Sequence, residues 1–279
     1  MKMMKSMLTA LAVSVFVLSC ALIAQGSTFR SFVSDTGSDG NTASDCQPAI
    51  NACRTFQAAI GQTNAGGDVV ALSSTGYSAF SVNKPITVEG APGVNAFIFV
   101  GAGGTGITVT GTVNTDLIVL RNIYVDGLSN GSTTGLSFTG PAKLVVENCT
   151  FRSLTTGVSV QGTNNTTSPA RMDLINSNLY SNGTAVQSTG TGANAPGNSV
   201  STSTSMVRIN GGSITGNTVG LSQVNPGSNL LFNIAVFAPG GNFTLNLVAN
   251  GTDKTCSVTA NCNPNPIAYS MNSSGPFGP

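Results

Sequence analysis

Cysteines are the first residues of this 279-residue chain whose spacing could support a chemical site. Cys46 with Cys53, and Cys256 with Cys262, form two pairs that are close in sequence. Zinc could use four such thiolates, but zinc ligands usually stand closer together, and the chain has no histidine. The pairs therefore favour two local disulfides in an oxidising compartment, each closing one end of the chain, and they predict no metal site.

Carboxylates among glycines could bind calcium. The stretch SDTGSDGN (34–41) places Asp35 and Asp39 in such a setting. A calcium loop of the EF-hand type, however, needs oxygen ligands where this sequence has Gly37 and Cys46. The stretch therefore predicts a turn-rich entry to the next element, and calcium remains an alternative to having no cofactor at all.

Two tyrosines, Tyr124 and Tyr180, could contact a ligand. An exposed tyrosine presents an apolar ring face together with a polar hydroxyl, which suits contact with sugars. The chain has no tryptophan, which argues against a dedicated sugar-binding platform. The two tyrosines are therefore the candidate ligand contacts if the chain binds carbohydrate.

A short template recurs along the chain and would position these residues. It reads IVLRNIYV (118–125), LVVENCTF (144–151), MDLINSNL (172–179) and VRINGGSI (207–214), with LLFNIAVF (230–237) as a degenerate further copy. Apolar residues occupy its first, third and eighth positions, and a shorter strand with alternating apolar residues follows, as at Leu136, Val158 and Leu221. Strands of period two, separated by Gly and Asn turns and without helical patterns between them, predict a solenoid of stacked parallel strands.

The fifth template position holds Asn122, Asn148 and Asn176, and Gly211 in the fourth copy. Stacking would place the three asparagines over one another, so we expect an internal column in which each amide bonds to the next. A buried amide left unpaired would cost about 1–3 kcal/mol, which the column avoids. Cys149 follows this position, and without a histidine to activate it we expect its thiol to pack rather than to act as a nucleophile.

The same alignment places opposite charges over one another in neighbouring copies. Such cross-strand pairs are worth up to about 1 kcal/mol each and help to fix the register. The expected pairs are Arg121 with Glu147, Asp126 with Arg152, and Asp173 with Arg208.

The ends of the chain differ from the repeats. CRTFQAAIGQT (53–63) has Phe56, Ala59, Ile60 and Thr63 at helical spacing, with Thr55 placed to cap the start, and predicts an amphipathic lid. We therefore expect a signal peptide (1–26), an N-terminal cap of strand plus helix (27–67), a parallel β-helix (68–245), and a C-terminal closing segment with a loose tail (246–279).

The N-terminus has the pattern of a secretory signal. Lys2 and Lys5 precede an uncharged apolar run, and small residues follow it. We therefore expect secretion to the periplasm or beyond, with no stable membrane span after removal of the signal, and lipidation at Cys20 is an alternative. Only 8% of residues are charged, with Lys+Arg 11 against Asp+Glu 10, so no basic stripe predicts a nucleic-acid partner.

Together the lid and the repeats resemble the right-handed parallel β-helix (pectin-lyase-like) proteins of bacterial secretomes. FVSDTGSDGN, ACRTFQAAI and AGGDVVALSSTGY (within 32–77) are similar to their entry module and LVVENCTF to their coil, over about residues 29–240. The resemblance implies an all-β, right-handed parallel β-helix solenoid with a short N-terminal capping helix. For activity it implies little, because the superfamily includes polysaccharide hydrolases and lyases, tailspikes and adhesins.

This chain departs from the enzymes of that superfamily. It has no histidine, no Asp-Asp and no Arg-x-Lys, and Asp126, Glu147 and Asp173 occupy different template positions. We therefore expect a secreted, non-catalytic scaffold that contacts a polysaccharide or a cell-surface protein through its variable loops. Those loops are GTVNTD, GPAK, GTNNTTSPA and the stretch from Ser188 to Ser205. The alternative is a diverged lyase acting on acidic polysaccharide.

Overall fold

The computed structural model describes residues 28–129, 131, 133–162, 170–189, 205–224, 231–232, 246–248, 252–256 and 272–273. The predicted signal peptide, Cys20, Cys262 and the greater part of the 230–237 copy lie outside these residues. The segment boundaries drawn from the sequence stay a prediction.

The described chain consists mainly of parallel strands. In chain order they are β1 (Thr28–Val33), β2 (Thr63–Ala71), β3 (Gly76–Tyr77), β4 (Phe80–Val82), β5 (Ile86–Gly90), β6 (Ala96–Phe99), β7 (Thr105–Thr110), β8 (Leu117–Arg121), β9 (Ile123–Asp126), β10 (Thr134–Thr139), β11 (Lys143–Glu147), β12 (Thr150–Arg152), β13 (Thr156–Gln161), β14 (Ala170–Tyr180), β15 (Thr184–Thr189), β16 (Ser205–Thr215), β17 (Val219–Val224), β18 (Leu231–Phe232), β19 (Asn246–Val248), β20 (Thr252–Cys256) and β21 (Asn272–Ser273). One α-helix, α1 (Phe56–Gln62), precedes β2, and two 3-10 helices span Asp39–Ser44 and Ala49–Asn51.

The strands form two sheets between which the chain alternates. The smaller sheet runs β20-β17-β15-β13-β10-β7-β4, so each strand pairs with the corresponding strand of the neighbouring repeats. The larger sheet has two rows, β1-β2-β5-β8-β11 and β12-β9-β6-β3, joined through the long strand β14, and β16 continues it beyond β14. All named pairs around the repeats are parallel. This arrangement confirms an all-β chain of parallel strands and is consistent with a solenoid.

The register follows the template, as predicted. Leu144 pairs with both Ile118 and Met172, and Met172 with Val207. The eighth positions and the short strands align in the same way, with columns Val125, Phe151, Leu179, Ile214 and Leu136, Val158, Val186, Leu221. These side chains are buried and form the apolar core between the sheets. Since a slip of one residue would turn every apolar side chain outward, the period-two pattern fixes the pairing.

The charge pairs predicted from the same alignment are present. Arg121 donates to Glu147 at 2.8 Å and also lies 3.0 Å from Glu89, and Arg152 lies 2.7 Å from Asp126. Asp173 lies 4.0 Å from Arg208 and 3.2 Å from Lys143. The carboxylates of three successive repeats are therefore each occupied by a cation.

The predicted internal column of Asn122, Asn148 and Asn176 is wrong. The three residues do stack at one corner, between β8 and β9 and their equivalents, but the side chains of Asn148 and Asn176 are exposed. All three have left-handed backbone, with φ of 55°, 52° and 47°, and Gly211 at the same position has φ of 84°. Only Gly, Asn and Asp adopt this conformation readily, so the corner selects asparagine for its backbone and not for an internal amide bond.

Replacing Asn148 by leucine is expected to lower the free energy of unfolding by about 1–2 kcal/mol, because leucine is strained at positive φ. Replacing it by glycine is expected to leave that free energy within about 0.5 kcal/mol of its original value, because glycine adopts this φ without strain. Urea denaturation followed by circular dichroism measures both variants. Equal losses for leucine and glycine would place the effect in the amide and contradict the backbone explanation.

An internal asparagine pair does exist, one turn further along each repeat. Asn182 and Asn217 are buried, at 3% and 2% exposure. The amide of Asn182 donates to the Oδ1 of Asn217 at 2.9 Å and accepts from the backbone N–H of Leu154 at 3.1 Å. The buried amides are thus paired between repeats, as the sequence reasoning required, but at different residues.

Cys149 lies inside the core, beside Ser177 of the next repeat. Its thiol donates to the carbonyl of Glu147, and its backbone N–H donates to the Ser177 hydroxyl at 3.1 Å. Complete burial raises the pKa of the thiol to about 12, so the reactive thiolate is scarce near neutral pH.

We therefore expect Cys149 to resist a thiol reagent such as 5,5′-dithiobis(2-nitrobenzoic acid) at pH 8 in the folded protein and to react in urea. The Cys149→Ser variant is the reference: it should match the wild type when folded and release one equivalent less when unfolded. Rapid extra labelling of the folded wild type would show that the thiol is accessible.

The N-terminal end is covered as predicted. Helix α1 buries Phe56, Ala59 and Ile60, and the Thr55 hydroxyl accepts from the backbone N–H of Ala58. Asp39, considered above for calcium, instead accepts hydrogen bonds from the backbone N–H groups of Arg54 and Thr55, each at 2.9 Å. Its carboxylate therefore holds the start of the helix.

Candidate functional site

Aromatic side chains gather on the outer face of the second row of the larger sheet. We call Phe97, Phe99, Tyr124, Arg152 and Tyr180 the aromatic surface. Alternation along β6, β9, β12 and β14 turns these residues outward while Ile98, Val125, Phe151 and Leu179 point into the core. The parallel register then places Phe97 beside Tyr124, and Arg152 beside Tyr180.

The rings of the aromatic surface are in contact with one another. The ring centroids of Phe97 and Tyr124 are 5.0 Å apart, and the Phe97 and Phe99 rings are nearly parallel at 6.1 Å. The hydroxyls of Tyr124 and Tyr180 are 2.7 Å apart and hydrogen-bonded. Because Tyr124 and Tyr180 belong to repeats on either side of β12, this bond spans the intervening strand. The two tyrosines selected from the sequence are thus brought together.

Arg152 lies on β12, the strand between the two tyrosines. Its Cζ is 5.1 Å from the centroid of the Tyr124 ring, a cation–π distance. Its Nε donates to Asp126 at 2.8 Å, and Asp126 is only 2% exposed. The pKa of Arg152 is raised by this bond, so the guanidinium stays charged and holds both the buried carboxylate and the ring in place.

Tyr124 is a poor proton acceptor in this setting. Burial, followed by the hydrogen bond to Tyr180, raises the pKa of Tyr124 well above its ordinary value. A general base needs a pKa near the working pH. Tyr124 therefore presents a neutral hydroxyl at neutral pH, suited to hydrogen bonding.

A groove of about 440 Å³ opens beside Tyr124. Its lining consists of the 92–95 loop on one side and corner or strand residues of two successive repeats on the other, namely Asn122, Ile123, Tyr124, Asn148 and Thr150. The volume lies within the range of small-molecule sites. The third residue of the predicted column, Asn176, does not line it.

The groove lies beside a corner loop that is longer than the corner of the next repeat. Asn122 alone separates β8 from β9, whereas residues 91–95 separate β5 from β6 in the preceding repeat. Pro92 and Gly93 form the centre of a tight turn, in which Val94 N–H donates to the Ala91 carbonyl at 2.8 Å and Gly93 has φ of 80°. The longer loop and the neighbouring corners together line the open space between them.

The smaller sheet has an uncharged polar outer face that the sequence reasoning missed. Its outward positions carry only hydroxyl and amide side chains over β7, β10, β13 and β15. In register they are Thr105, Thr134, Thr156, Thr184; Thr108, Ser137, Ser159, Gln187; and Thr110, Thr139, Gln161, Thr189. The sequence pattern that could have predicted this face is the threonine, serine and glutamine between the apolar residues of each short strand. The variable loops follow these strands, although 163–169 and 190–204 lie outside the described residues.

The remaining candidate residues are placed as follows. Cys46 and Cys53 form a disulfide, as predicted. Cys256 ends β20, while its expected partner, Cys262, lies outside the described part. Within the described ranges, no group of three His, Cys, Asp or Glu side chains is arranged to hold a metal ion.

Comparisons with protein-family models, with curated proteins and with solved structures each return no match for this chain. In the part of the chain that the structure covers, no helix has both the length and the apolar character needed to cross a membrane.

Proposed function

We propose that this chain is a secreted, right-handed parallel β-helix that binds glycans without cleaving them, through the aromatic surface. The observation that carries the proposal is the contact of Tyr124 with Phe97 and Tyr180, which gathers partly exposed rings from several repeats on one face. Sugars stack their apolar faces on such rings and bond to the hydroxyls around them.

Several further features support the proposal. Each repeat enters the larger sheet twice and the smaller sheet once, which fits a β-helix coil. The Cys46–Cys53 disulfide and the signal-like N-terminus fit an oxidising, secretory route. A cell-surface protein bearing glycans would be engaged through the same face.

Lyase activity on acidic polysaccharide is the alternative. It would need a free basic residue and a calcium or arginine site for the uronate. Arg121 is held by Glu89 and Glu147, and Arg152 by Asp126. Since Arg121 and Arg152 already have carboxylate partners, binding without cleavage is the better supported activity.

The test is incubation of the purified mature chain with neutral and acidic polysaccharides, with and without calcium. Retardation in polysaccharide-containing gels reports binding, and ultraviolet absorbance reports the unsaturated products of a lyase. We expect retardation without absorbance change, weakened in Tyr180→Ala and retained in Gln161→Ala, a matched change on the other sheet. Unsaturated product would establish the lyase alternative, and failure to bind any glycan would reject the proposal.

A further inference from the structure

We infer that the groove beside Tyr124 is a subsite for a neutral sugar residue and discriminates against uronates. The inference rests on the proposed glycan binding and names the class of sugar that the same face selects. It assigns a ligand role to Asn95, Asn122, Asn148 and Thr150, which frame the groove together with Tyr124.

The polar groups of the groove suit a polyhydroxylated ligand. The side chains of Asn95, Asn148 and Thr150 make no hydrogen bond to other described residues, and Asn122 uses only its Nδ2, which donates to the Gly90 carbonyl at 3.1 Å. Amides and a hydroxyl offer both donors and acceptors at short intervals. A sugar hydroxyl can both donate and accept, so it can satisfy either kind of group.

The charge of the groove selects against an anionic sugar. None of its lining residues carries a charge. The neighbouring cations, Arg121 and Arg152, are held by carboxylates on the sheet. A uronate entering the groove would lose water around its carboxylate without gaining a cation, which is unfavourable.

The geometry also gives the ligand an apolar wall. Tyr124 lines the groove, and its ring is held by Phe97, with centroids 5.0 Å apart, and by the Arg152 guanidinium, whose Cζ lies 5.1 Å from the ring centroid. A pyranose ring packed against the side of Tyr124 that lines the groove would lie between this wall and the Asn148 corner. Hydrogen bonds from the amides would then orient the sugar, and contact with the Tyr124 ring would supply most of its binding affinity.

The experiment measures binding of neutral hexasaccharides (cellohexaose, xylohexaose, mannohexaose) and of hexagalacturonate by isothermal titration calorimetry. Asn148→Gly removes one amide while keeping a residue suited to positive φ, and Tyr124→Ala removes the wall. Asn176→Gly makes the same change at the next corner, outside the groove. We expect a neutral hexasaccharide to bind, with affinity weakened about fivefold by Asn148→Gly and about tenfold by Tyr124→Ala, and unchanged by Asn176→Gly.

The outcomes separate this inference from the proposed function. Tighter binding of hexagalacturonate than of every neutral sugar, or neutral binding that neither groove variant weakens, would overturn the subsite and leave glycan binding intact. Equal weakening by Asn148→Gly and Asn176→Gly would also overturn it, since the effect would then belong to the corner and not to the groove. Binding of none of the four sugars would overturn the subsite, and retardation by the polysaccharides of the first test would then decide separately whether glycan binding stands.

Discussion

Replacing Phe151 by alanine is expected to lower the free energy of unfolding by about 3–5 kcal/mol, the largest effect of any single change considered for this chain. Phe151 is fully buried and is among the largest core side chains. It stacks between Val125 and Leu179 of the adjacent repeats. Alanine would remove the ring and leave a cavity that strands hydrogen-bonded on both sides cannot close.

The Phe151→Ala change should also reduce the cooperativity of unfolding. In a chain of stacked repeats each unit contacts mainly its neighbours, so weakening a central contact uncouples the two ends. Urea denaturation of Phe151→Ala should therefore show a lower midpoint and a shallower transition. Phe99→Ala, which removes the same ring from a position that is 47% exposed, should lower the free energy of unfolding by no more than about 1 kcal/mol. Similar losses for both variants would contradict the core assignment of Phe151.

The alignment of the repeats could be predicted from the sequence because one face of every strand is buried. Ile118, Leu144, Met172 and Val207 share a template position, and they also share a register column. Period-two patterns leave no freedom to slip by one residue, so the columns and their charge pairs followed directly. Helix α1 could also be predicted, because the residues of its buried face and of its cap are close together in the sequence.

The asparagines were misassigned because one residue type serves two purposes. The substitution pattern Asn122, Asn148, Asn176, Gly211 holds the correct answer, since glycine has no amide for a ladder but shares the left-handed conformation with asparagine. The true internal pair, Asn182 and Asn217, aligns with Leu154 in the preceding repeat, which interrupts the pattern. Because the prediction relied only on asparagine recurring at one template position, it chose the corner residues and not the buried pair.

The candidate site was only half predictable. Tyr124 and Tyr180 could be chosen as outward aromatics, but their contact is diagonal across an intervening strand and depends on side-chain length. The groove depends on the 91–95 loop, which belongs to a repeat that does not match the template. Irregular insertions carry no periodic signal, so the periodic pattern of the sequence could not predict this groove.

Removing the Cys46–Cys53 disulfide by a double change to alanine is expected to lower the free energy of unfolding by about 2–3 kcal/mol, because the short loop gains freedom in the unfolded chain. In the folded state, the change would affect β1, the first strand of the larger sheet. Cys53 N–H donates to the Phe32 carbonyl at 2.8 Å, and Phe32 N–H donates to the Cys46 carbonyl at 3.1 Å. The disulfide loop therefore covers the otherwise open edge of β1.

Hydrogen exchange of the Phe32 and Ser34 amides tests this role directly, since both donate to the loop. In the double variant we expect faster exchange at these amides and unchanged exchange at Val146 in the centre. An uncovered parallel edge also invites pairing between molecules, so the variant should associate at high concentration. Cys149→Ser is the matched control, because it removes a thiol at a site where the next repeat already has Ser177. Unchanged exchange at Phe32 in the double variant would mean that the backbone bonds alone hold the loop in place, and that the disulfide acts only on the unfolded chain.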